Sequence, residues 1–186
     1  MPAPDESHLA DWCRRLRASD RIAFAALFRA LRVPLLRYAV TFTRDADAAH
    51  DLVQDVFVAL WEMRSTLDPA QPVRGLLFRM TRNKALNRRR DHRRRSAKHD
   101  TIRRDAVTAT PPVERVDADR LAVRLRAWLA ELPQRQREAI ALTRFDHLSH
   151  EQAAAVMGCA PRTVNNHIVR GLATLQARLD ALNAAP

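Results

Sequence analysis

The segment from Leu148 to Leu179, LSHEQAAAVMGCAPRTVNNHIVRGLATLQARL, restricts the possible folds more than any other part of the chain. Ser149 and Gln152 have the spacing of a capping box, in which each side chain accepts the backbone N–H of the other residue. Gly158 suits the left-handed residue that ends a helix, and Pro161 suits the first turn of the next helix. The segment is therefore predicted to form two helices joined by a short turn.

The second of these helices has two contrasting faces. Apolar residues recur at spacings of three and four and predict an inward stripe formed by Val164, Ile168, Leu172, Leu175 and Leu179. The opposite side carries Arg162, Thr163, Asn166 and Arg170, with Asn165 and His167 on its flanks. Such side chains bond base edges and phosphates of DNA. The pattern predicts a helix-turn-helix that reads DNA, with an ordinary solvated surface as the alternative.

The composition indicates an all-α protein with a polyanionic partner. The 186 residues include only 3 Gly, and Ala, Leu and Arg dominate, while the alternating pattern of strands is missing. Lys and Arg number 32 against 21 Asp and Glu, which leaves a formal net charge of +11. This excess favours nucleic acid as the first candidate partner and an anionic membrane surface as the second.

Several classes of protein are disfavoured by what the sequence lacks. No apolar run approaches about 20 residues, and the N-terminus does not resemble a signal peptide, so we expect a cytoplasmic protein without stable membrane insertion. Cys13 and Cys159 lack the neighbouring Cys or His residues of a zinc site, and no metal or cofactor is expected. No catalytic motif is recognisable, so the chain is not expected to be an enzyme.

An acidic strip is predicted on a helix that runs from about Ala46 to Met63. One narrow arc of this helix contains Asp51, Gln54, Asp55, Val58 and Glu62. Ordinary solvation is the simplest explanation of this strip. A metal site that includes Asp45, Asp47 and His50 is an alternative, but the helix dipole explains carboxylates near a helix start equally well.

A long basic segment follows the acidic strip. From about Val73 the sequence VRGLLFRMTRNKALNRRR predicts a helix whose apolar start gives way to a basic end. Basic residues far outnumber acidic ones between Arg79 and Arg104. Such a density of like charge is costly unless an anion is near, so contact with phosphates is the favoured interpretation.

Individual residues mark further helix boundaries. Asp20 is predicted to cap a helix in the first part of the chain, and Pro34 either bends this helix or divides it into two. Pro133 is predicted to begin a helix that continues through Arg144 into the helix-turn-helix. The C-terminal part is therefore expected to consist of four short helices.

A break in the helical pattern divides the chain. Residues 96–119 have little apolar periodicity and include Pro111-Pro112, as expected of a flexible linker. We predict two small helical domains, at 10–95 and 120–183, joined by this linker. The second domain contains the helix-turn-helix.

Two longer motifs lie on either side of the predicted linker. The first is DAAHDLVQDVFVALW, from Asp47 to Trp61, and the second is LPQRQREAIALTRFDHLSHEQAAAVMGCAPRTVNNHIVRGL, from Leu132 to Leu172. In this order they resemble the polymerase-binding and promoter-reading domains of RNA polymerase sigma factors of the extracytoplasmic-function (ECF) type. The resemblance covers nearly the whole chain. It implies a non-enzymatic subunit that directs core RNA polymerase to promoter DNA.

The resemblance also implies three sets of functional residues. Those that would dock on the polymerase are Asp51, Gln54, Asp55, Val58 and Glu62. Those that would hold the downstream promoter element as a separated strand are Arg79, Asn83, Lys84, Asn87 and Arg88. Those that would read the upstream element as duplex are Arg162, Thr163, Asn165, Asn166, His167 and Arg170. An anti-sigma factor that clamps the two domains is implied as a further partner.

Some residues depart from the family pattern. Ala160 stands where the family often has a capping Ser, and Gly171 weakens a helix interior by up to about 1 kcal/mol. Phe78 and Trp61 are assigned to the core rather than to strand separation, which predicts weak intrinsic melting of DNA. Two alternatives stay open: an autonomous helix-turn-helix regulator that binds DNA as a dimer, and an RNA-binding or nuclease-like protein that uses the arginine run.

Overall fold

The computed structural model describes residues 5–43, 45–98 and 118–184, and all regular structure within these ranges is helical. The all-α prediction is therefore confirmed. The chain separates into two compact units, Met1–Arg103 and Arg104–Pro186. Among the helices of the described residues, none combines the length and the apolar character needed to cross a membrane.

The first unit contains the following helices among its described residues: α1 (Glu6–Arg17), α2 (Arg21–Thr43), α3 (Ala46–Glu62) and α4 (Val73–Lys98), with a 3-10 turn at Arg64–Thr66. Helix α1 has no counterpart in the sequence prediction. The Asp5 side chain caps it by accepting the backbone N–H of His8 at 2.9 Å. Hydrogen bonds from His8 and Ser7 hold the pKa of Asp5 at about 2. Leu9 and Leu16 anchor α1 in the core.

Helix α2 passes through Pro34 without a break, so the alternative of two successive helices is excluded. The Asp20 carboxylate caps its start, as predicted, by accepting the backbone N–H groups of Ile22 at 2.7 Å and Ala23 at 3.2 Å. Leu27, Leu31 and other residues along one face of α2 are buried against the neighbouring helices, and this packing outweighs the hydrogen bond that the proline removes.

The core of the first unit is formed by one face of each helix. Its largest fully buried residues are Leu9, Leu16, Leu27, Leu31, Leu35, Tyr38, Leu52, Leu60, Leu77 and Phe78. The rings of Tyr38 and Phe78 meet edge to face, with 5.2 Å between their centroids. The core assignment of Phe78 is therefore confirmed, whereas Trp61 is only half-buried.

The second unit has four described α-helices and one π-helical turn: α5 (Ala118–Glu131), α6 (Gln134–Ile140), the π turn Ala141–Phe145, α7 (His150–Met157) and α8 (Pro161–Asn183). Residues 99–117, which include most of the predicted linker, lie outside the described residues. Helix α8 has 23 residues, so the expectation of four short helices is wrong for this element.

The predicted helix through Arg144 changes its geometry partway along. Pro133 occupies the N-cap position of α6 without a capping hydrogen bond, and after Ile140 the backbone continues as the π turn. The N–H of Asp146 donates to the carbonyl of Ala141 at 3.1 Å, a spacing of five residues. Such turns insert one extra residue into a helix, and they change the direction of the side chains that follow.

The helix-turn-helix has the capping predicted from its sequence. The Gln152 N–H donates to the Ser149 hydroxyl at 3.2 Å, and the Ser149 N–H donates to the Gln152 side chain at 2.9 Å. Gly158 has φ of 63°, and Pro161 occupies the first position of α8. The Ala160 side chain makes no capping hydrogen bond, so proline alone favours this helix start.

The inward stripe of α8 differs from the prediction mainly at Leu172, while Leu179 near its end is half-buried. Val164, Ile168 and Leu175 are buried, but Leu172 is 40 % exposed, so its assignment to the core is wrong. Gly171 takes the inward place instead. A Cβ atom at Gly171 would lie 2.7 Å from Cδ1 of Ile140, which shows how closely α8 approaches α6. A side chain at this position would have to displace the Ile140 side chain, so the glycine fits the packing although it weakens the helix.

Two arginines connect α6 to its neighbours. Arg137 is buried and donates to the carbonyl of Leu132 at 3.0 Å and to the side chain of Gln134 at 2.8 Å. Arg135 donates to the carbonyl of Met157 at 2.9 Å. Because Met157 is the last residue of α7, Arg135 satisfies a carbonyl that the helix end leaves without an intrahelical partner. The Arg135 bond therefore links α6 to the end of α7, the first helix of the helix-turn-helix.

Candidate polymerase and DNA interfaces

The acidic strip lies on the outer face of α3. All five of its residues, Asp51, Gln54, Asp55, Val58 and Glu62, are exposed, while Leu52, Val56 and Leu60 on the other side are buried. Asp45, which the sequence also suggested for a metal site, caps α3 by accepting the N–H of Ala48 at 3.0 Å. Within the described ranges no three His, Cys, Asp or Glu side chains are grouped to hold a metal ion.

An aromatic hollow lies beside the acidic strip, between α2 and α3. Its walls are formed by Arg21, Phe24, Phe28, Gln54, Phe57, Val58 and Trp61. Phe24 meets Trp61 with 5.3 Å between ring centroids, and Phe28 meets Phe57 at 4.8 Å. Since Gln54 and Val58 belong to both features, this face combines acidic groups with an apolar depression.

The hollow was not predicted from the sequence, although the chain carries a signal for it. Phe24 and Phe28 are four residues apart, as are Phe57 and Trp61, so each pair lies on one side of its helix. Periodicity alone assigns all four rings to the core. Only the packing of α2 on α3 shows that the edge of this ring cluster stays accessible.

A polar ridge runs along the exposed side of α4. Arg79, Asn83 and Asn87 follow one another at intervals of four residues and are all exposed. Lys84 is half-buried, and Arg88 lies on the exposed surface toward α3. The opposite side is packed in the core, and there the buried Thr81 hydroxyl donates to the carbonyl of Leu77 at 2.8 Å. The guanidinium of Arg79 and the amides of Asn83 and Asn87, which form the ridge, therefore face solvent.

Residues from two separately predicted sites meet at Arg88. Its Nη2 donates to Oδ2 of Asp55 at 2.5 Å, and its Nη1 lies 3.5 Å from the carbonyl oxygen of Ala48. The two side chains are 44 % and 50 % exposed. The acidic strip of α3 and the basic surface of α4 are thus connected by an ion pair that sequence reasoning did not predict.

The outward side of α8 carries the residues predicted to read duplex DNA. Arg162, Asn165, Asn166 and Arg170 are exposed, whereas Thr163 and His167 are half-buried. All six belong to the first three turns of the helix that follows the tight turn at Gly158. In a helix-turn-helix, the N-terminal part of the second helix is the part that contacts base edges.

An apolar groove marks the other side of the second unit. Its lining includes Leu121, Leu125, Trp128, Phe145, Leu172 and Leu179. Phe145 and Leu172 are 46 % and 40 % exposed, so this α5–α8 groove is open to solvent. The π turn places Phe145 at its edge. The exposure of Leu172 is explained here, because the residue lines a groove instead of filling the core.

Comparison with known proteins identifies both units. Residues 27–95 match the family model described as Sigma-70 region 2, and residues 122–175 match Sigma-70, region 4. The first match covers α3 and most of α4, and the second covers the helix-turn-helix. The two units therefore belong to the class of sigma-70 initiation factors.

Curated relatives extend this result over nearly the full length. The sigma factor NccH of Alcaligenes xylosoxydans is 30% identical over 188 residues, which cover 97% of each chain. CnrH of Cupriavidus metallidurans is 33% identical over 88% of this chain and 90% of its own. The ECF sigma factor SigL of Mycobacterium tuberculosis is 32% identical over 86% and 93%. The chain belongs to the ECF family of RNA polymerase sigma factors.

Solved structures agree with this assignment. CnrH in complex with the cytosolic domain of CnrY matches with a TM-score of 0.69 and 29% identity, over 94% of this chain and 98% of that one. RpoE of Bartonella quintana, in complex with the anti-sigma factor NepR, matches with a TM-score of 0.68 and 28% identity, over 83% and 97%. As a sigma factor the protein directs promoter-specific transcription initiation, and the autonomous regulator is not favoured.

Proposed function

We propose that three exposed faces divide the work of initiation between them. The acidic strip, together with the aromatic hollow, docks on core RNA polymerase. The polar ridge of α4 holds the downstream promoter element, and the outward side of α8 reads the upstream element. The single observation that carries this proposal is the exposure of an acidic face next to accessible aromatic rings, on a chain whose net charge is +11.

The polymerase face is proposed to use charge and apolar contact together. Gln54 and Val58 line the hollow, and the exposed carboxylates of the strip continue along the same helix at Asp51, Asp55 and Glu62. Burying aromatic edges supplies affinity, while the carboxylates select a cationic partner surface and orient it. A purely solvated acidic face would not need accessible rings beside it.

The downstream element is proposed to bind as a separated strand along α4. Arg79, Lys84 and Arg88 would contact phosphates, and Asn83 and Asn87 would contact bases that have left the stack. Phe78 is buried and therefore does not serve as a wedge between bases. We accordingly expect weak intrinsic melting and a strong dependence on good promoter elements.

The upstream element is proposed to bind as duplex against α8. Arg162, Asn166 and Arg170 would reach the floor of the major groove, with Thr163, Asn165 and His167 at its sides. The proposed working modules are residues 10–95 and 120–183, with residues 96–119 between them. The two matched regions, 27–95 and 122–175, support this division.

The protein is proposed to perform no chemistry itself and to act in the cytoplasm. An anti-sigma factor is proposed as its regulator. The support comes from the similar structures, one of which is a complex with the cytosolic domain of CnrY and the other a complex with the anti-sigma factor NepR. Copurification from cells grown in different conditions would identify such a partner.

Transcription in vitro from a library of promoter fragments tests the proposal. Core polymerase is assayed alone and with the protein added. New start sites that share two spaced motifs are expected. Binding to particular duplexes without any new start would overturn the proposal in favour of an autonomous regulator.

Charge reversal tests the polymerase face separately. Asp51→Lys is expected to weaken binding to core polymerase at least tenfold, since it places a cation opposite a cationic surface. Asp180→Lys is the matched control, because Asp180 is an exposed carboxylate on α8 and the change in charge is the same. Equal effects of the two variants would contradict the assignment of α3.

A further inference from the structure

The ion pair between Asp55 and Arg88 connects the two proposed interfaces of the first unit. It joins residues 33 positions apart in the chain, and it lies where α3 packs against α4. A second approach, from Arg88 Nη1 to the carbonyl of Ala48, draws the guanidinium across the surface of α3. The Arg88 side chain therefore lies against the acidic strip of α3 instead of pointing away from it.

The same contact affects both charges. A carboxylate that is paired with a guanidinium attracts another cation less strongly, and the paired guanidinium attracts a phosphate less strongly. Asp51 lies one turn before Asp55, and Lys84 lies one turn before Arg88, so each group has a like charge on its own helix. Each member of the pair masks the other on the surface where its own partner would bind.

We propose that the Asp55–Arg88 ion pair is a latch between polymerase docking and DNA binding. This inference rests on the proposed function, which assigns Asp55 to the polymerase face and Arg88 to the DNA face. A cation of the polymerase surface competes with Arg88 for Asp55. Docking therefore releases Arg88 to DNA, and DNA contact by Arg88 leaves Asp55 available to the polymerase.

The expected size of the effect follows from the exposure of the pair. Ion pairs that are about half exposed contribute little, so the latch changes each affinity by about two- to fivefold. The coupling is reciprocal, because the same contact is broken in both binding steps. A purely positioning role, in which Asp55 holds Arg88 ready for DNA, predicts changes of the opposite sign.

The first test measures polymerase binding in the absence of DNA. Full-length Arg88→Gln is expected to bind core polymerase two- to fivefold more tightly than the parent chain, because Asp55 is unmasked. Arg79→Gln is the matched control, since it removes the same charge from the same helix without touching the pair. An unchanged or weaker affinity of Arg88→Gln relative to Arg79→Gln overturns the latch.

The second test measures DNA binding in the absence of polymerase. Asp55→Asn is expected to bind a labelled single-stranded oligonucleotide two- to fivefold more tightly at fixed salt. Asp51→Asn removes an equal charge from the same strip, and the described part of the chain has no ion pair at Asp51. The proposal is overturned if Asp55→Asn raises the affinity for the oligonucleotide no more than Asp51→Asn does, or if it lowers that affinity.

A double variant separates masking from the simple loss of a charge. In the Arg88→Gln background, Asp55→Asn is expected to raise the DNA affinity no more than Asp51→Asn does. A larger increase that persists without Arg88 overturns the latch. The failure of the proposed function is distinguishable. If Asp51→Lys leaves polymerase binding intact, the polymerase face is misassigned. If Asp51→Lys weakens polymerase binding strongly but Arg88→Gln does not change it, only the latch is ruled out.

Discussion

In the first unit, the two proposed functional faces lie on neighbouring helices of opposite charge, and the Asp55–Arg88 ion pair connects them. In the second unit, the side of α8 that is proposed to read DNA lies opposite Gly171, where side chains of α6 and of the residues before it pack closely against the helix. The first arrangement depends on side chains that can exchange partners. The second depends on how closely two helices pack. Substitutions in the first unit should therefore alter binding, whereas comparable ones beneath α8 should alter folding.

The largest effect should come from filling the close approach of α6 and α8. Gly171→Val would place a branched side chain against Ile140, with Gln136 and Leu132 close behind, and should destabilise the second unit by about 2–3 kcal/mol. Gly75→Ala is the control, because no atom lies within 4 Å of a Cβ there. It should stabilise the first unit by about 0.5–1 kcal/mol. Urea denaturation followed by circular dichroism measures both, and equal destabilisation would contradict the comparison.

The next largest effect is expected on recognition of the upstream promoter element, without a change in the stability of the fold. Asn166→Ala should lower transcription from promoters with an intact upstream element by about fivefold or more, because an Asn bonded to a base contributes about 1–3 kcal/mol of discrimination. Asn183→Ala, at the far end of the same helix, should leave transcription unchanged. A loss of thermal stability in Asn166→Ala would show that this face also supports the fold, and it would contradict a role in binding alone.

A smaller effect is expected from the capping box. Ser149→Ala removes the acceptor for the Gln152 N–H and should cost about 1 kcal/mol. Ser65→Ala, at an exposed serine of the first unit, should change the free energy of unfolding by less than about 0.5 kcal/mol. Denaturant midpoints of the two variants compare them directly. Similar midpoints would mean that the turn of the helix-turn-helix does not depend on its cap.

The smallest effect should appear in the first unit as a pH dependence. Hydrogen bonds from the Ala23 N–H and from Arg15 lower the pKa of Asp20 below its ordinary 3.8. The charged carboxylate therefore stabilises the fold when the pH is above the ordinary pKa, and this contribution is lost as the pH falls through the lowered pKa of the folded protein. Asp20→Asn should be less stable than the parent at neutral pH, and the difference should shrink in acid. A constant difference between pH 7 and pH 3 would exclude this role.

The sequence predicts those features that depend on residues close together in the chain. The capping box involves Ser149 and Gln152 only, and the left-handed turn requires only Gly158, so both follow from local rules. The acidic strip follows from the helical period once α3 is recognised. Two motifs in a fixed order then suffice to indicate the family.

What the sequence does not predict depends on packing between helices. The Asp55–Arg88 pair joins α3 to α4, and Arg135 reaches the end of α7 from α6. Periodicity places Leu172 inside because it is apolar, yet the buried residue is Gly171, which packs against the Ile140 side chain of α6, while Leu172 is exposed. Local rules cannot tell which of two adjacent positions a neighbouring helix will exclude.

The π turn between α6 and α7 makes the length of this short segment meaningful. A helix advances by about 100° per residue, so one added or removed residue rotates everything beyond it by that angle. Phe145 faces the α5–α8 groove because the turn holds one residue more than an α-helix would. Deletion of a single residue here would therefore rotate the side chains that follow, including Phe145. Chains that differ by one residue between α6 and α7 should present different grooves.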